Sequence, residues 1–280
     1  MSAVRTIDTR HLGRERVIAA FTLEDCLVDC GPSTVIDHLA AELGDDVPRR
    51  LLLTHIHLDH SGGAGQLVRR FPGLEVVVHE RGARHLADPE KLVASASRLY
   101  GDDMERLWGE IVPVPEENLT VVSGGERLGD WRVEYTPGHA SHHVSYLHEP
   151  TGTAFAGDTA GVRIPPGPLM APTPPPDIDL EAWPRSLDLI AGWRPERIAV
   201  THFGVWEDTE EHLAAMREAL ERQTRWAREA PDGDAFARRL REHLAEHTDP
   251  QTADAYEQGM PPDHLFPGME RALRRVSSPQ

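Results

Sequence analysis

The sequence predicts a layered α/β domain followed by a helical C-terminal segment, and three observations support this fold class. Short apolar stretches rich in β-forming residues alternate with stretches of helical periodicity over residues 16–204. Four of the expected strands are followed directly by polar residues that include histidine or aspartate. From residue 207 onward the periodicity is helical.

The expected elements follow one another with turn residues between them. Residues 16–22 and 26–29 are apolar and predict two strands of a meander that ends at Cys30-Gly31-Pro32. Ser33 is a candidate N-cap for a helix that runs to about Glu42. Further strands are expected at residues 50–54, 74–78, 119–122, 132–136, 144–148, 154–156 and 197–201. Further helices are expected at residues 64–70, within 81–110, and at 180–193, 207–230, 234–246 and 269–276.

A proline-rich segment interrupts this series. Residues 163–178 hold seven prolines, which predict a stiff loop because proline is excluded from the interior of helices and central strands. The loop follows soon after Asp158, a candidate metal ligand. Two interpretations stay open, a wall of the substrate site and a simple connector.

The strongest functional signal lies at residues 54–63, which read THIHLDHSGG. His55, His57, Asp59 and His60 fall within six residues directly after an expected strand. In an extended chain the rings of His55 and His57 project to the same side, and the small residues that follow let the backbone approach the site. Imidazole and carboxylate ligands together suit zinc or iron rather than calcium or magnesium. The motif therefore predicts a transition-metal site.

Three other clusters are weak signals individually, and each follows an expected strand. They are Thr136-Pro137-Gly138-His139, Gly157-Asp158-Thr159 and Thr201-His202-Phe203-Gly204. Open α/β folds build their binding sites at the carboxyl ends of strands. Together with residues 55–60, the clusters predict one site assembled from four parts of the chain.

This order of residues, HxHxDH followed by a histidine, an aspartate and a histidine, resembles the metallo-β-lactamase superfamily. The resemblance covers about residues 16–204 and implies a four-layer αβ/βα sandwich with two metals at one edge of its sheets. The first metal would be held by His55, His57 and His139. The second would be held by Asp59, His60 and His202, and Asp158 would bridge the two. Residues 1–204 would form the catalytic domain, and residues 205–280 a helical extension packed on it or at a dimer interface.

Residues 27–31, which read LVDCG, resemble the early Asp-x-Gly turn of the same family. Asp29 would then lie outside the ligand set and orient a ligand histidine. The alternative interpretation is an aspartate that only forms the turn.

The resemblance implies a binuclear metal-dependent hydrolase that acts on an ester, thioester or lactone of a small molecule. Two divalent metal ions, expected to be zinc with iron or manganese as alternatives, would lower the pKa of a bridging water. The resulting hydroxide would attack the carbonyl carbon, and Asp59 is the expected catalytic residue that orients it. The alternatives are a mononuclear-iron oxidoreductase resembling persulfide dioxygenases and a non-catalytic metal-binding protein.

Residues 136–146, TPGHASHHVSY, resemble the TPGHTxGHxxY run of glyoxalase II-like thioesterases and related lactonases. His142 stands where that pattern has glycine, and the tail has no lysine for a lysine-based glutathione clamp. The resemblance therefore leaves the substrate open. The remaining histidines are expected to be structural or at the surface, with no ligand role: His79, His85, His212, His243, His247 and His264.

Composition limits the location and partners of the protein. The chain has 280 residues and a net charge of −17, which disfavours a nucleic-acid substrate. The first residues contain no apolar segment of signal-peptide length, and no run approaches the length of a membrane span. Cys26 and Cys30 would lie about 13 Å apart in a strand, too far for a disulfide. We therefore expect a cytoplasmic protein with a small-molecule substrate, no membrane partner and an oligomeric state open to a homodimer.

Overall fold

The computed structural model describes residues 3–277, and contains two six-stranded sheets flanked by helices. The strands of the first sheet are β1 Arg5–Asp8, β2 Ala19–Leu23, β3 Cys26–Val28, β4 Arg50–Leu52, β5 Glu75–His79 and β6 Leu119–Val122. The strands of the second are β7 Arg127–Leu128, β8 Trp131–Tyr135, β9 Val144–His148, β10 Thr153–Phe155, β11 Arg197–Val200 and β12 Gly204–Trp206. The helices are α1 Ile36–Leu43, α2 Leu58–Ser61, α3 Ala64–Arg70, α4 Glu80–Ala87, α5 Glu90–Tyr100, α6 Met104–Trp108, α7 Ala182–Gly192, α8 Thr209–Glu229, α9 Gly233–His247, α10 Pro250–Gly259 and α11 Phe266–Ser277.

The first sheet has its strands in chain order, β1 to β6. β1, β2 and β3 are antiparallel neighbours, whereas β3 to β6 are parallel, with Val28 opposite Leu52 and Leu52 opposite Val77. Parallel neighbours need a crossover, and helices α1 to α6 lie in those connections. The carboxyl ends of β3 and β4 therefore lie side by side, which brings Asp29 next to the histidine motif.

The second sheet has the order β12-β11-β10-β9-β8-β7. Only β10 and β11 are parallel neighbours, joined by the proline-rich loop and α7. Their carboxyl ends carry Asp158 and His202 at the same edge of the sheet.

The alternation of side chains along each strand explains why both faces of each sheet are covered. Leu52, Val77, Phe155 and Ala199 face the cluster between the two sheets. Their chain neighbours face outward, those of the first sheet onto α1 and α3 and those of the second onto α7 and α8. Adjacent residues of a strand point to opposite faces, so strands buried on both sides need apolar residues at every position. The predicted αβ/βα sandwich with C-terminal helices is confirmed.

The C-terminal helices pack on the outer face of the second sheet. Met216, Phe236 and Met269, from α8, α9 and α11, belong to the same apolar cluster as Ile198 of β11. Asp232 caps α9 by accepting a hydrogen bond from the Ala235 amide, 2.8 Å away. The division at residue 204 into a catalytic domain and an extension stays a prediction. In the described part of the chain, no helix is both long and apolar enough to cross a membrane.

The sequence-based expectations differ from the structure in a few places. Strands β1, β7 and β12 were not expected, and α10 lies in a stretch for which no separate helix was named. Ser33 does not cap a helix through its side chain. Its hydroxyl oxygen instead lies 2.9 Å from the Gly62 carbonyl oxygen and 2.6 Å from the Glu110 carbonyl oxygen, so its one proton is shared between the histidine-motif turn and the loop after α6.

Candidate metal centre

The seven residues predicted as ligands converge at one edge of the sandwich. His55 and His57 lie in the turn after β4, and Asp59 and His60 lie on the short helix α2. The other three side chains arrive from elsewhere: His139 from the loop after β8, Asp158 from the turn after β10 and His202 from the turn after β11. His55, His60, His139, Asp158 and His202 are all buried.

The first group consists of His55, His57 and His139. The His57 Nδ1 atom lies 3.0 Å from the His55 Nε2 atom and 2.9 Å from the His139 Nε2 atom. The three ring nitrogens therefore face a common point, with the geometry of three ligands around one ion.

The second group consists of Asp59, His60 and His202. The Asp59 Oδ2 atom lies 3.2 Å from the His202 Nε2 atom and 3.8 Å from the His60 Nε2 atom. This group also offers one atom from each residue to a common point.

Asp158 lies between the two groups. Its Oδ2 atom is 3.5 Å from the His139 Nε2 atom, and its Oδ1 atom is 3.3 Å from the His60 Nε2 atom. One carboxylate thus presents an oxygen to each group, as a bridging ligand would.

The outer nitrogens of the histidines are held by hydrogen bonds. His139 Nδ1 donates to the Pro172 carbonyl at 2.9 Å, and His202 Nδ1 donates to the Val17 carbonyl at 2.6 Å. These bonds fix the tautomer in which the inward Nε2 atom carries a lone pair. The same bond at His60 is made to a carboxylate, Asp29 Oδ2, at 2.8 Å.

The Asp29 carboxylate hydrogen-bonds to residues from three parts of the chain that surround the candidate metal centre. Asp29 is fully buried and adopts the left-handed backbone conformation (φ 51°), which aspartate tolerates better than most residues. Besides His60, its carboxylate accepts hydrogen bonds from the Thr54 amide at 2.9 Å and the Thr201 hydroxyl at 2.8 Å. It therefore ties both halves of the sandwich to one ligand, as the positioning interpretation expects.

The charges of the buried side chains favour ligation. Burial and the neighbouring His139 lower the pKa of His57 to about 4, although Asp59 opposes this. Burial lowers the pKa of His60, but the carboxylates of Asp158, Asp59 and Asp29 outweigh it and raise that pKa well above its ordinary value. Burial raises the pKa of Asp158, but His60 and His139 hold it well below its usual range. The lowered pKa of His57 favours the neutral imidazole that a metal requires, and the raised pKa of His60 reflects surrounding negative charge that a bound cation would balance.

Buried side-chain atoms without a hydrogen-bond partner show whether a metal ion would fit this site. Within the described residues, His60 Nε2, His202 Nε2 and Asp158 Oδ1 are buried and make no hydrogen bond of acceptable geometry. Buried polar atoms without partners are rare because each costs about 1–3 kcal/mol. All three face the second group, and a divalent cation there would satisfy them. The residues present fit the metal pair that the sequence predicts.

A cavity of about 1120 Å³ opens over the centre and exposes His57, Asp59, His139 and Asp158 to it. The proline-rich loop forms part of its wall through Pro172 and residues 174–177, as the first of its two interpretations expects. The C-terminal segment contributes further wall residues.

Two residues of the cavity were not identified from the sequence, whereas His143 was expected to pack around the ligands rather than to join them. His85 and His264 line the cavity, although they were expected to be surface or structural histidines. His143 is fully buried and lies between the Thr136 hydroxyl, 3.0 Å from Nδ1, and the Thr159 amide, which donates to Nε2 at 3.4 Å. The run at residues 136–146 was the signal for His143, whereas nothing near His264 in the sequence indicated a site.

Comparison with known proteins assigns the family. The family model for the metallo-beta-lactamase superfamily matches residues 25–202. The chain belongs to this superfamily, and its His/Asp cluster is a divalent-metal-binding site of the kind that the family carries.

Two curated relatives illustrate the likeness. The metallo-beta-lactamase fold-containing protein ST1585 of Sulfurisphaera tokodaii is 31% identical over 175 residues, which cover 59% of this chain and 65% of that protein. The hydroxyacylglutathione hydrolase of Legionella pneumophila is 29% identical over 135 residues, which cover 48% of this chain and 42% of that protein. The matches thus span less than two thirds of each relative, and they fit the glyoxalase II-like branch.

Solved structures share the fold. Archaeal ST1585 from Sulfolobus tokodaii superposes with a TM-score of 0.72 and 21% identity, covering 96% of this chain and 99% of that one. TTHA1623 in a di-iron-bound form superposes with a TM-score of 0.53 and 22% identity, covering 78% of this chain and 93% of that one.

Proposed function

We propose that this protein is a binuclear metal-dependent hydrolase that acts on an ester, thioester or lactone of a small molecule. The observation that carries the proposal is the pair of ligand groups joined by Asp158, which lies 3.5 Å from His139 and 3.3 Å from His60. Similarity to hydroxyacylglutathione hydrolases, whose name denotes thioester hydrolysis, supports the reaction class.

We assign the first metal to His55, His57 and His139, the second to Asp59, His60 and His202, and the bridge to Asp158. Bound divalent ions at these positions would supply Lewis acidity and a hydroxide at neutral pH. We propose zinc for both, since the ligand chemistry suits zinc and iron alike and hydrolysis needs no redox change.

The chain's own residues perform three tasks in this proposal. Asp59, with 19% of its side chain exposed to the cavity, holds a carboxylate beside His202 where it can orient a nucleophile and accept its proton. Asp29 keeps His60 in position through their hydrogen bond. The apolar wall residues Leu58 and Ile56 limit water around the reacting carbonyl.

Elemental analysis of the purified protein, with hydrolysis assays, tests the proposal. We expect about two zinc ions per chain and turnover of at least one class among ester, thioester and lactone panels, with turnover abolished by a chelator and restored by zinc. About one iron per chain with oxygen uptake in the presence of a glutathione persulfide would replace the hydrolase with the oxidoreductase alternative. Less than one metal ion per chain, together with no chelator-sensitive turnover, would reject the hydrolase proposal.

Substitution of Asp59 distinguishes a catalytic role of its carboxylate from the general effect of removing one negative charge. Asp59→Asn removes a ligand charge and the proton acceptor, so we expect turnover to fall by 10²-fold or more. Asp45→Asn makes the same change at an exposed position in the loop before β4 and should keep full activity. Equal activity of the two variants would contradict the role of Asp59.

A further inference from the structure

Positive side chains gather around the cavity of an otherwise acidic protein. The chain has a net charge of −17, yet five basic residues line this one cavity: Arg81, Arg84, Lys91, Arg98 and Arg271. All five are exposed, and Lys91 is the single lysine of the sequence. They come from three different helices, α4, α5 and α11.

These five cations make no ion pair with any residue in the described part of the chain, residues 3–277. Most of the other arginines do form one. Arg84 donates a hydrogen bond to the His85 ring at 3.2 Å, and Arg81 lies over the Tyr135 ring at 5.6 Å. Positive charges around one cavity repel one another, and an anion among them would relieve that repulsion.

Among residues 3–277, two carboxylates line the cavity outside the metal centre, and both already accept a hydrogen bond. Glu80 accepts from the Ser123 hydroxyl at 3.0 Å, and Asp177 accepts from the Ser141 hydroxyl at 2.5 Å. With five cations against these two anions, the part of the lining that surrounds the metal centre is positive.

Part of the remaining wall is apolar. Helix α5 has no fully buried side chain. Its Leu99 lines the cavity, and its Leu92 lines the cavity while also packing against the apolar cluster of the first sheet. Met260 and Leu265 of the C-terminal segment also line the cavity. The lining thus combines metal ligands, apolar side chains and unpaired cations.

We propose that the basic residues around the cavity form an anion subsite, so that the substrate carries a carboxylate or phosphate group joined to the scissile bond by an apolar segment. This inference rests on the proposed hydrolase function for the position of the scissile bond. The subsite itself needs only that an anion binds among Arg81, Arg84, Lys91, Arg98 and Arg271.

Matched esters test the charge preference. The probes for the zinc-loaded protein are the 4-nitrophenyl esters of butyrate and of glutarate, which differ by a terminal carboxylate, and a third ester that ends in phosphate. We expect KM to be at least fivefold lower for one or both anionic esters, with the advantage shrinking as salt is raised. The ester with the larger advantage identifies the carboxylate or the phosphate. Equal KM values for all three esters would overturn the subsite while leaving the hydrolase in place.

Binding of amides separates the subsite from catalysis. The anilides of butyrate and glutarate have the same shapes and a far less reactive bond, so calorimetry reports affinity even where no ester turns over. We expect the anionic anilide to bind more tightly in low salt. Equal affinity of the two anilides would contradict the proposal whatever the esters show.

Single charge removals locate the subsite. Arg84→Gln and Arg98→Gln should each raise KM for the favoured anionic ester by roughly two- to fivefold, the effect of one exposed charge, with kcat and the neutral ester unchanged. Arg238→Gln is the matched control, because Arg238 is exposed on α9, lies outside the cavity lining and has no ion-pair partner in the described range. Equal effects of all three substitutions on KM for the anionic ester would mean that the overall charge of the protein, and not a subsite in the cavity, causes the preference, and would overturn the proposal.

Discussion

Asp29 and His60 are both fully buried, and the Asp29 Oδ2 atom lies 2.8 Å from the His60 Nδ1 atom. This contact joins the end of β3 to α2. It fixes which nitrogen of His60 faces the candidate metal position, because the Nδ1 proton is held by the carboxylate. A residue outside the candidate ligand set thus holds the ring of one candidate ligand.

Asp29→Asn tests this relationship. Asparagine tolerates the left-handed conformation at φ 51° as aspartate does, so the substitution removes charge with little backbone strain. We expect metal affinity at the second position to fall by about 10- to 100-fold, measured by competition with a chromophoric chelator. Asp25→Asn, at a half-exposed aspartate four residues earlier, is the control and should keep wild-type affinity. Unchanged affinity of Asp29→Asn would leave only the turn-forming role.

The convergence of the candidate ligands could be predicted from the sequence because their densest part, residues 54–63, is local. The surroundings were not, since they depend on contacts between distant residues. Thr201 donates to Asp29 across 172 positions, and His264 reaches the cavity from the C-terminal segment. No short pattern contains both members of such a pair.

The missed strands have a similar cause. In β1 only Ile7 is buried, so Arg5–Asp8 carries no apolar alternation. Strand β7 has two residues, too few for a periodicity to be read, and the three residues of β12 begin with Gly204, a residue type that is depleted in strands. Pairing with a neighbouring strand, rather than local composition, makes these segments extended.

The two cysteines should be inert in the native protein. Both are free and buried, and burial raises the pKa of Cys26 to about 12 and that of Cys30 further. The thiolate is the reactive form, so native protein should react with less than 0.1 equivalent of Ellman's reagent in ten minutes, an order-of-magnitude expectation. Two equivalents should react in guanidinium chloride. Rapid reaction of either thiol under native conditions would contradict the packing of β3.

Tyr256 couples the C-terminal helices to the proline-rich loop. Its hydroxyl accepts a hydrogen bond from the Ile164 amide at 3.0 Å and donates to the Pro168 carbonyl. Tyr256→Phe leaves a buried amide without a partner, so we expect a loss of about 1–3 kcal/mol in the free energy of unfolding. Urea denaturation measures it, with Tyr100→Phe as the control because the Tyr100 hydroxyl has no hydrogen bond to another described residue.

The shape of the same transition bears on the prediction that residues 205–280 form a helical extension packed on residues 1–204 or at a dimer interface. A single transition that shifts as a whole in Tyr256→Phe would show that the helices and the sandwich unfold together. A separate early transition of the helices, with the rest unshifted, would show that they are not coupled through this residue.

His212 should make stability depend on pH in acid. Its Nε2 atom donates to the Ala160 carbonyl at 2.9 Å, and its Nδ1 atom lies 3.3 Å from the Arg163 guanidinium, which Asp208 pairs on its other side. Burial, aided by Arg163 and opposed by the Ala160 hydrogen bond and by Asp208, lowers the pKa of His212 to about 4. Between that value and the unfolded value of about 6.5, the unfolded chain binds the extra proton, so stability falls as the pH falls. By pH 5 the loss from this residue is about 2 kcal/mol.

His212→Gln tests this pH dependence, because glutamine can retain a donor to the Ala160 carbonyl but cannot titrate. Between pH 7 and pH 5, the free energy of unfolding of the wild type should fall by about 2 kcal/mol relative to that of the variant. Measuring urea denaturation of both proteins across this range subtracts the contribution of every other histidine. A constant difference between the two curves would mean that His212 is not held neutral in the fold.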